Sequence, residues 1–196
     1  MQQVLHYSAL KTGIVWLATS LTSIALAGLS QLLVTRGGAK FVMATGMTLI
    51  GGGVIWATQM PVHGRFLANL AGPLVIVGAG TAFAFIPISI AALAGVAERQ
   101  AGLASGLLNT SQQLGGAIGI AIASTVAASH TNTLLHAGQA VPPALTGGFQ
   151  AAFLVLGAIG LIAVPAIFAL VRRGELSDAV ARTTAREPQP ALAGAN

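Results

Sequence analysis

Few residues in this sequence could do acid–base, nucleophilic or metal chemistry, and their spacing does not assemble a catalytic set. The only carboxylates are Glu98, Glu175, Asp178 and Glu187, all in loop or tail segments. None is therefore offered to an apolar interior as general acid, metal ligand or proton carrier. There is no cysteine, which excludes disulfides, thiolate metal sites and cysteine nucleophiles. His6, His63, His130 and His136 stand singly, without the close spacing a metal site needs. Ser105 sits in Gly102-Leu-Ala-Ser-Gly106, which lacks the spacing of the Gly-x-Ser-x-Gly elbow. Gly78-Ala-Gly80 lacks the later glycine of a dinucleotide fingerprint. The sequence is expected to encode no enzyme and to hold no cofactor or metal.

What remains is amide and hydroxyl chemistry. At 100° per residue, Ser105, Asn109, Gln112, Gly116, Gly119 and Ala123 fall within a stripe about 80° wide. Leu103, Leu107, Leu114 and Ile118 occupy the opposite side. Small residues let helix backbones approach in lipid, and amides hydrogen-bond across to a neighbour. Amides facing acyl chains would each lose several kcal/mol, so this face is expected to look inward, into protein or a wet cavity. Two roles fit it. One is helix packing, with Gly102, Gly106, Gly115, Gly116 and Gly119 as close-approach points. The other is the lining of a solute path, with Ser105, Asn109, Gln112 and Gln113 as candidates. Gly72, Gly78 and Gly80 lighten a second segment, where Thr81, Phe83, Phe85 and Ser89 mix ring and hydroxyl groups. That surface suits small amphipathic or apolar solutes and equally suits ordinary bundle packing.

The elements that must carry these residues follow from composition. Of 196 residues only 7% are charged, 55% are apolar and 25 are glycine. An ordinary soluble domain carries roughly 25% charged residues. No charge occurs between Arg99 and Arg172. So few charges cannot cover a soluble core, and so apolar a chain is not disordered. The basic residues are too few and too scattered to track a phosphate backbone, so no nucleic acid is expected. The opening residues, Met-Gln-Gln-Val-Leu-His-Tyr, do not read as a signal peptide.

The fold class is therefore all-α integral membrane. A bilayer core of ~30 Å needs about 20 apolar residues in helix. Charges, prolines and polar clusters mark five spans, at about 12–34, 41–60, 67–95, 101–129 and 149–171. Residues 1–11 form an external segment and 172–196 a cytoplasmic tail. Gly51, Gly52 and Gly53 weaken the second span. The third lies in a 32-residue uncharged stretch, roughly 48 Å as a helix. It must start near Pro73 or kink at Pro87; a broken pair of half-helices would raise the count to six. The polar stretch 130–148, with Pro142 and Pro143, separates the fourth span from the fifth.

Five spans put the termini on opposite sides. With the C-terminus inside, the cytoplasm holds Arg36, Lys40, Arg99, Arg172, Arg173, Arg182 and Arg186. The outside then holds Lys11 and Arg65. This asymmetry obeys the positive-inside rule.

The run AGLASGLLNTSQQLGGAIG (101–119) closely resembles a late helix of the major facilitator superfamily, in its fourteen-helix drug:proton antiporter branch of the QacA/EmrB type. QQVLHYSALKTG (2–13) and AALAGV (91–96) agree, and the resemblance covers about residues 1–173. It implies the last five helices of such a transporter, with the first half of the carrier as the missing partner in the bilayer. It also implies an N-terminus outside and a C-terminus inside a bacterial plasma membrane, as the charges do. The third span would line the cavity, making Asn69, Thr81, Phe85 and Ser89 solute-path candidates, and the fourth would flank it. LVTRGGAK (33–40) resembles the family's cytoplasmic loop motif at Arg36, Gly38 and Lys40, with Thr35 where the family usually has Asp. The proton-coupling carboxylates of the first half have no counterpart here. The implied function is multidrug-type efflux, as part of a carrier. The alternative is a truncated, transport-inactive helical module that packs with other membrane proteins.

Overall fold

A computed structural model describes residues 9–59, 71–93 and 96–170. Among these, every regular element is helical. Five helices follow in order: α1, Ala9–Gly37; α2, Ala39–Trp56; α3, Ala71–Leu93; α4, Ala101–His136; and α5, Val141–Leu170. Short 3₁₀ turns lie at Ala57–Gln59 and Glu98–Gln100. All five helices are long and apolar enough to cross a membrane. The fold is thus the all-α membrane bundle expected.

Several boundaries differ from those expected. Helix α1 begins earlier than residue 12 and ends later than residue 34. Helix α3 keeps both prolines: Pro73 sits in its first turn, where a missing N–H costs nothing, and Pro87 lies inside it. At 23 residues α3 is ~35 Å long and needs no split.

The helices extend furthest past the expected spans at the fourth and fifth. Helix α4 runs on to His136 instead of stopping at 129, and α5 starts at Val141, not 149. The polar stretch expected as a separator shrinks to a turn through Gly138, which has φ 83°. The reason is tertiary. Thr131 is buried, and a Cβ on Gly148 would lie 2.5 Å from the Ala127 carbonyl, so the two helices zip together through this polar segment. Pro142 and Pro143 then fall in the first turn of α5, where they are tolerated.

The bundle packs in the neighbour order α1–α3–α2–α5–α4. Helix α2 is central because glycines flatten two of its faces. A Cβ on Gly46 would lie 2.5 Å from the Ala84 nitrogen of α3, and one on Gly80 2.7 Å from the Gly46 carbonyl. On its other flank a Cβ on Gly51 would meet the Gly157 carbonyl at 3.0 Å. A Cβ on Gly53 would meet the Pro73 carbonyl of α3 at 3.2 Å, while Gly52, between Gly51 and Gly53, faces open space. The three-glycine run thus weakens an isolated helix yet serves two interfaces at once. In lipid, van der Waals fit of this kind holds helices together. Gly46→Ala should therefore destabilise the bundle by ~1–3 kcal/mol through overpacking. Gly52→Ala should change it by less than ~1 kcal/mol. Reversible unfolding in detergent, followed by circular dichroism, measures both.

Candidate solute path and helix interfaces

Helix α3 carries Thr81, Phe85 and Ser89 at i, i+4 and i+8, within about 80° of arc. Phe85 is 53% exposed, while Ala82, Ala84 and Pro87 are buried in the bundle. Thr81 Oγ1 donates to the Val77 carbonyl at 2.8 Å, and Ser89 Oγ to the Phe85 carbonyl at 2.9 Å. Both hydroxyls are satisfied within their own helix, as lipid requires. They present a mixed aromatic and hydroxyl stripe on an open side of the bundle. Asn69 lies outside the described residues.

Helix α4 does not face inward within this chain. Ser105, Asn109 and Gln113 are exposed and Gln112 is half-buried. The bulky side is open too, with Leu103 at 78% exposure and Leu107, Leu114 and Ile118 also exposed. A Cβ placed on Gly102, Gly106, Gly115, Gly116 or Gly119 would meet nothing within 4 Å. No residue of the apolar window of α4 is buried. Helical spacing requires only that the amides avoid acyl chains; it does not require that this chain supply their cover. Helix α4 touches α3 only marginally, so the two stripes do not form one wall here.

The bonds that tie α1 to α3 come from hydroxyls that were not among the expected site residues. Ser23 Oγ lies 2.8 Å from the Gly78 carbonyl and 3.0 Å from the Thr19 carbonyl of its own helix, so its single hydrogen is shared between, or alternates between, a bond across to α3 and one within α1. Ser30 Oγ, wholly buried, donates to the Ala82 carbonyl at 3.0 Å. Their signal is present in the sequence: Thr19, Ser23 and Ser30 fall within about 40° at helical spacing.

At the end of the bundle that carries Arg36, Gly38 takes φ 85° and ψ 138° and turns α1 directly into α2. Nothing lies within 4 Å of a Cβ there, so glycine is needed for its backbone angle and not for space. Arg36 is exposed, and Thr35 Oγ1 turns back to the Leu32 carbonyl at 2.8 Å. Lys40 crosses to the end of α5: its Nζ donates to the Phe168 carbonyl at 2.7 Å and stands 5.2 Å from the Phe168 ring centroid. Phe41 meets the same ring edge-to-face, with centroids 5.9 Å apart. A cation near the last helical turn answers both the unsatisfied carbonyls and the negative dipole end. Among the described residues no group of three His, Cys, Asp or Glu could hold a metal.

Lys40→Met keeps an apolar stem and removes the donor. It should speed hydrogen exchange of the amides near Phe168 by threefold to tenfold, the equivalent of ~1 kcal/mol. Exchange in the α4–α5 turn should stay unchanged.

No family model matches the chain. It is 32% identical to the cephamycin export protein CmcT of Amycolatopsis lactamdurans over 134 residues, which is 67% of this chain and 27% of that protein. It is 30% identical to the MFS-type transporter EfpA of Mycobacterium tuberculosis over 132 residues, 67% of this chain and 25% of EfpA. The puromycin resistance protein pur8 of Streptomyces alboniger is 25% identical over 97% of this chain and 39% of its own length. The chain thus spans between a quarter and two-fifths of the relatives it matches. These relatives are transporters and resistance proteins, not enzymes. The chain is accordingly a homologue of membrane export proteins of the major facilitator type.

Proposed function

We propose that this chain is the C-terminal portion of a multidrug-type efflux carrier of the fourteen-helix drug:proton antiporter branch, working with a separate or preceding first half. The observation that carries this is helix α4, which exposes an amide and glycine stripe that lipid cannot satisfy. The greater length of the relatives supports the same reading. In it Gly102, Gly106, Gly115, Gly116 and Gly119 are the close-approach points for the covering helices. Ser105, Asn109, Gln112 and Gln113 border the solute path. Thr81, Phe85 and Ser89 of α3, with Asn69 before it, line that path for a small amphipathic or apolar solute. Arg36, Gly38 and Lys40 form the cytoplasmic loop motif. Transporters of this kind bind solute near the midplane between two halves that rock, so five helices of one half supply one wall.

The carboxylates of this chain fall outside its spans, which favours a role dependent on proton-coupling groups elsewhere. The chain alone in proteoliposomes should therefore show no dye transport on an imposed pH gradient. Robust gradient-driven uptake would overturn the need for a first half. If adding the first half of the carrier restores no transport either, the reading as an inactive packing module takes its place.

In this reading the protein lies in the bacterial plasma membrane with its N-terminus outside and C-terminus in the cytoplasm. The chain has no native cysteine, so single labels are unambiguous. Gln139→Cys should react with a membrane-impermeant maleimide on intact cells, and Thr35→Cys only after lysis.

A further inference from the structure

Among the described residues, Ser30 and Pro87 are the largest side chains that are completely buried, and both act on one turn of α3. A proline inside a helix withdraws the N–H owed to the carbonyl four residues earlier and crowds that turn. Here that carbonyl belongs to Phe83. Ser30 Oγ of α1 donates to the adjacent carbonyl, that of Ala82, at 3.0 Å. Helix α2 presses on the same turn: a Cβ on Gly46 would lie 2.6 Å from the Phe83 carbonyl carbon and 2.5 Å from the Ala84 nitrogen. Phe83 before Pro87, and Ile90 and Ala91 after it, all rest on Val34, Ala39 and Val42. Both sides of Pro87 therefore share that apolar support, but the turn before it is held in addition by a directional bond and by backbone packing. The turn after it rests on apolar packing, which has no preferred direction.

We infer that Ser30 is a positioning residue for α3. Its hydroxyl fixes the turn upstream of Pro87, so α3 pivots at the proline, and α1 sets the angle between the two segments. Phe85 and Ser89 stand on either side of that pivot, so its angle sets their relative placement. The pivot follows from the bonds just described. Its bearing on transport rests on the reading of the α3 stripe as a solute path.

The test measures the pivot and not transport, so it can fail while that reading stands. Nitroxide pairs are placed in the full chain in lipid nanodiscs. Thr35→Cys with Ala92→Cys spans α1 and the end of α3 beyond Pro87. Leu17→Cys with Val75→Cys spans the same helices at their other end. All four positions are exposed. A kink of ~20° acting over six residues of ~1.5 Å rise moves the helix end by ~3 Å. Ser30→Ala should therefore shift or broaden the 35–92 distance distribution by ~3 Å and leave the 17–75 distribution unchanged. Adding Pro87→Ala returns the N–H donor to the Phe83 carbonyl and should abolish the effect of Ser30→Ala. An unchanged 35–92 distribution in Ser30→Ala would overturn the inference. So would an equal change at the 17–75 pair, or an effect that persists undiminished with Pro87→Ala, since a hydroxyl that merely glued two helices would behave in those ways.

Discussion

Close backbone approach at glycine is the constraint on which the bundle depends. Helices in lipid gain nothing from removing apolar surface from water, so they associate by van der Waals fit and hydrogen bonds. Helix α2 achieves that fit on two sides, through Gly46 against the Phe83–Ala84 peptide of α3 and through Gly51 against Gly157 of α5. Opening either junction would separate the α1–α3 pair from the α5–α4 pair, because these outer pairs meet chiefly across α2. The same closeness explains why the core is small in volume. Its buried apolar members are mainly alanine and valine, with Met43, and the bulky Trp16, Leu21, Ile24 and Leu103 point outward.

Polar groups follow from the same solvent. Thr22, Thr45, Thr48, Thr81 and Thr125 each return a hydroxyl to a carbonyl one turn back. Ser23 and Ser30 instead reach across to α3 and so add direction to a seam otherwise made by shape. Asn109 and Gln113 of α4 are exposed within this chain, and Gln112 is only half-buried. An amide in hydrocarbon is costly. The chemistry of that one helix therefore points beyond the five helices described.

Among the described residues charge lies at helix ends or between helices. Lys40 is instructive because it links the turn after α1 to the last turn of α5 through a carbonyl and a ring, without a carboxylate taking part in that link. A chain so poor in acids must satisfy its cations with helix ends, rings and solvent.

Composition and spacing alone determined that this is a helical membrane protein with five spans, because hydrocarbon thickness and backbone satisfaction leave few other solutions. They also placed Ser105, Asn109, Gln112, Gly116 and Gly119 on one stripe of the fourth span, since helical periodicity is a local property. Helix ends were less legible. The polar residues 130–148 look like a loop until Thr131 and Gly148 are seen to bring α4 and α5 together, and that approach is non-local. Which glycines pack was likewise hidden: those of 102–119 have the pattern of close approach but meet nothing here, whereas Gly51, read as a weakness, is a junction between helices. A sequence shows where a side chain is small. Only the tertiary structure shows which small positions have a neighbouring backbone to meet, because that depends on the order in which the helices pack.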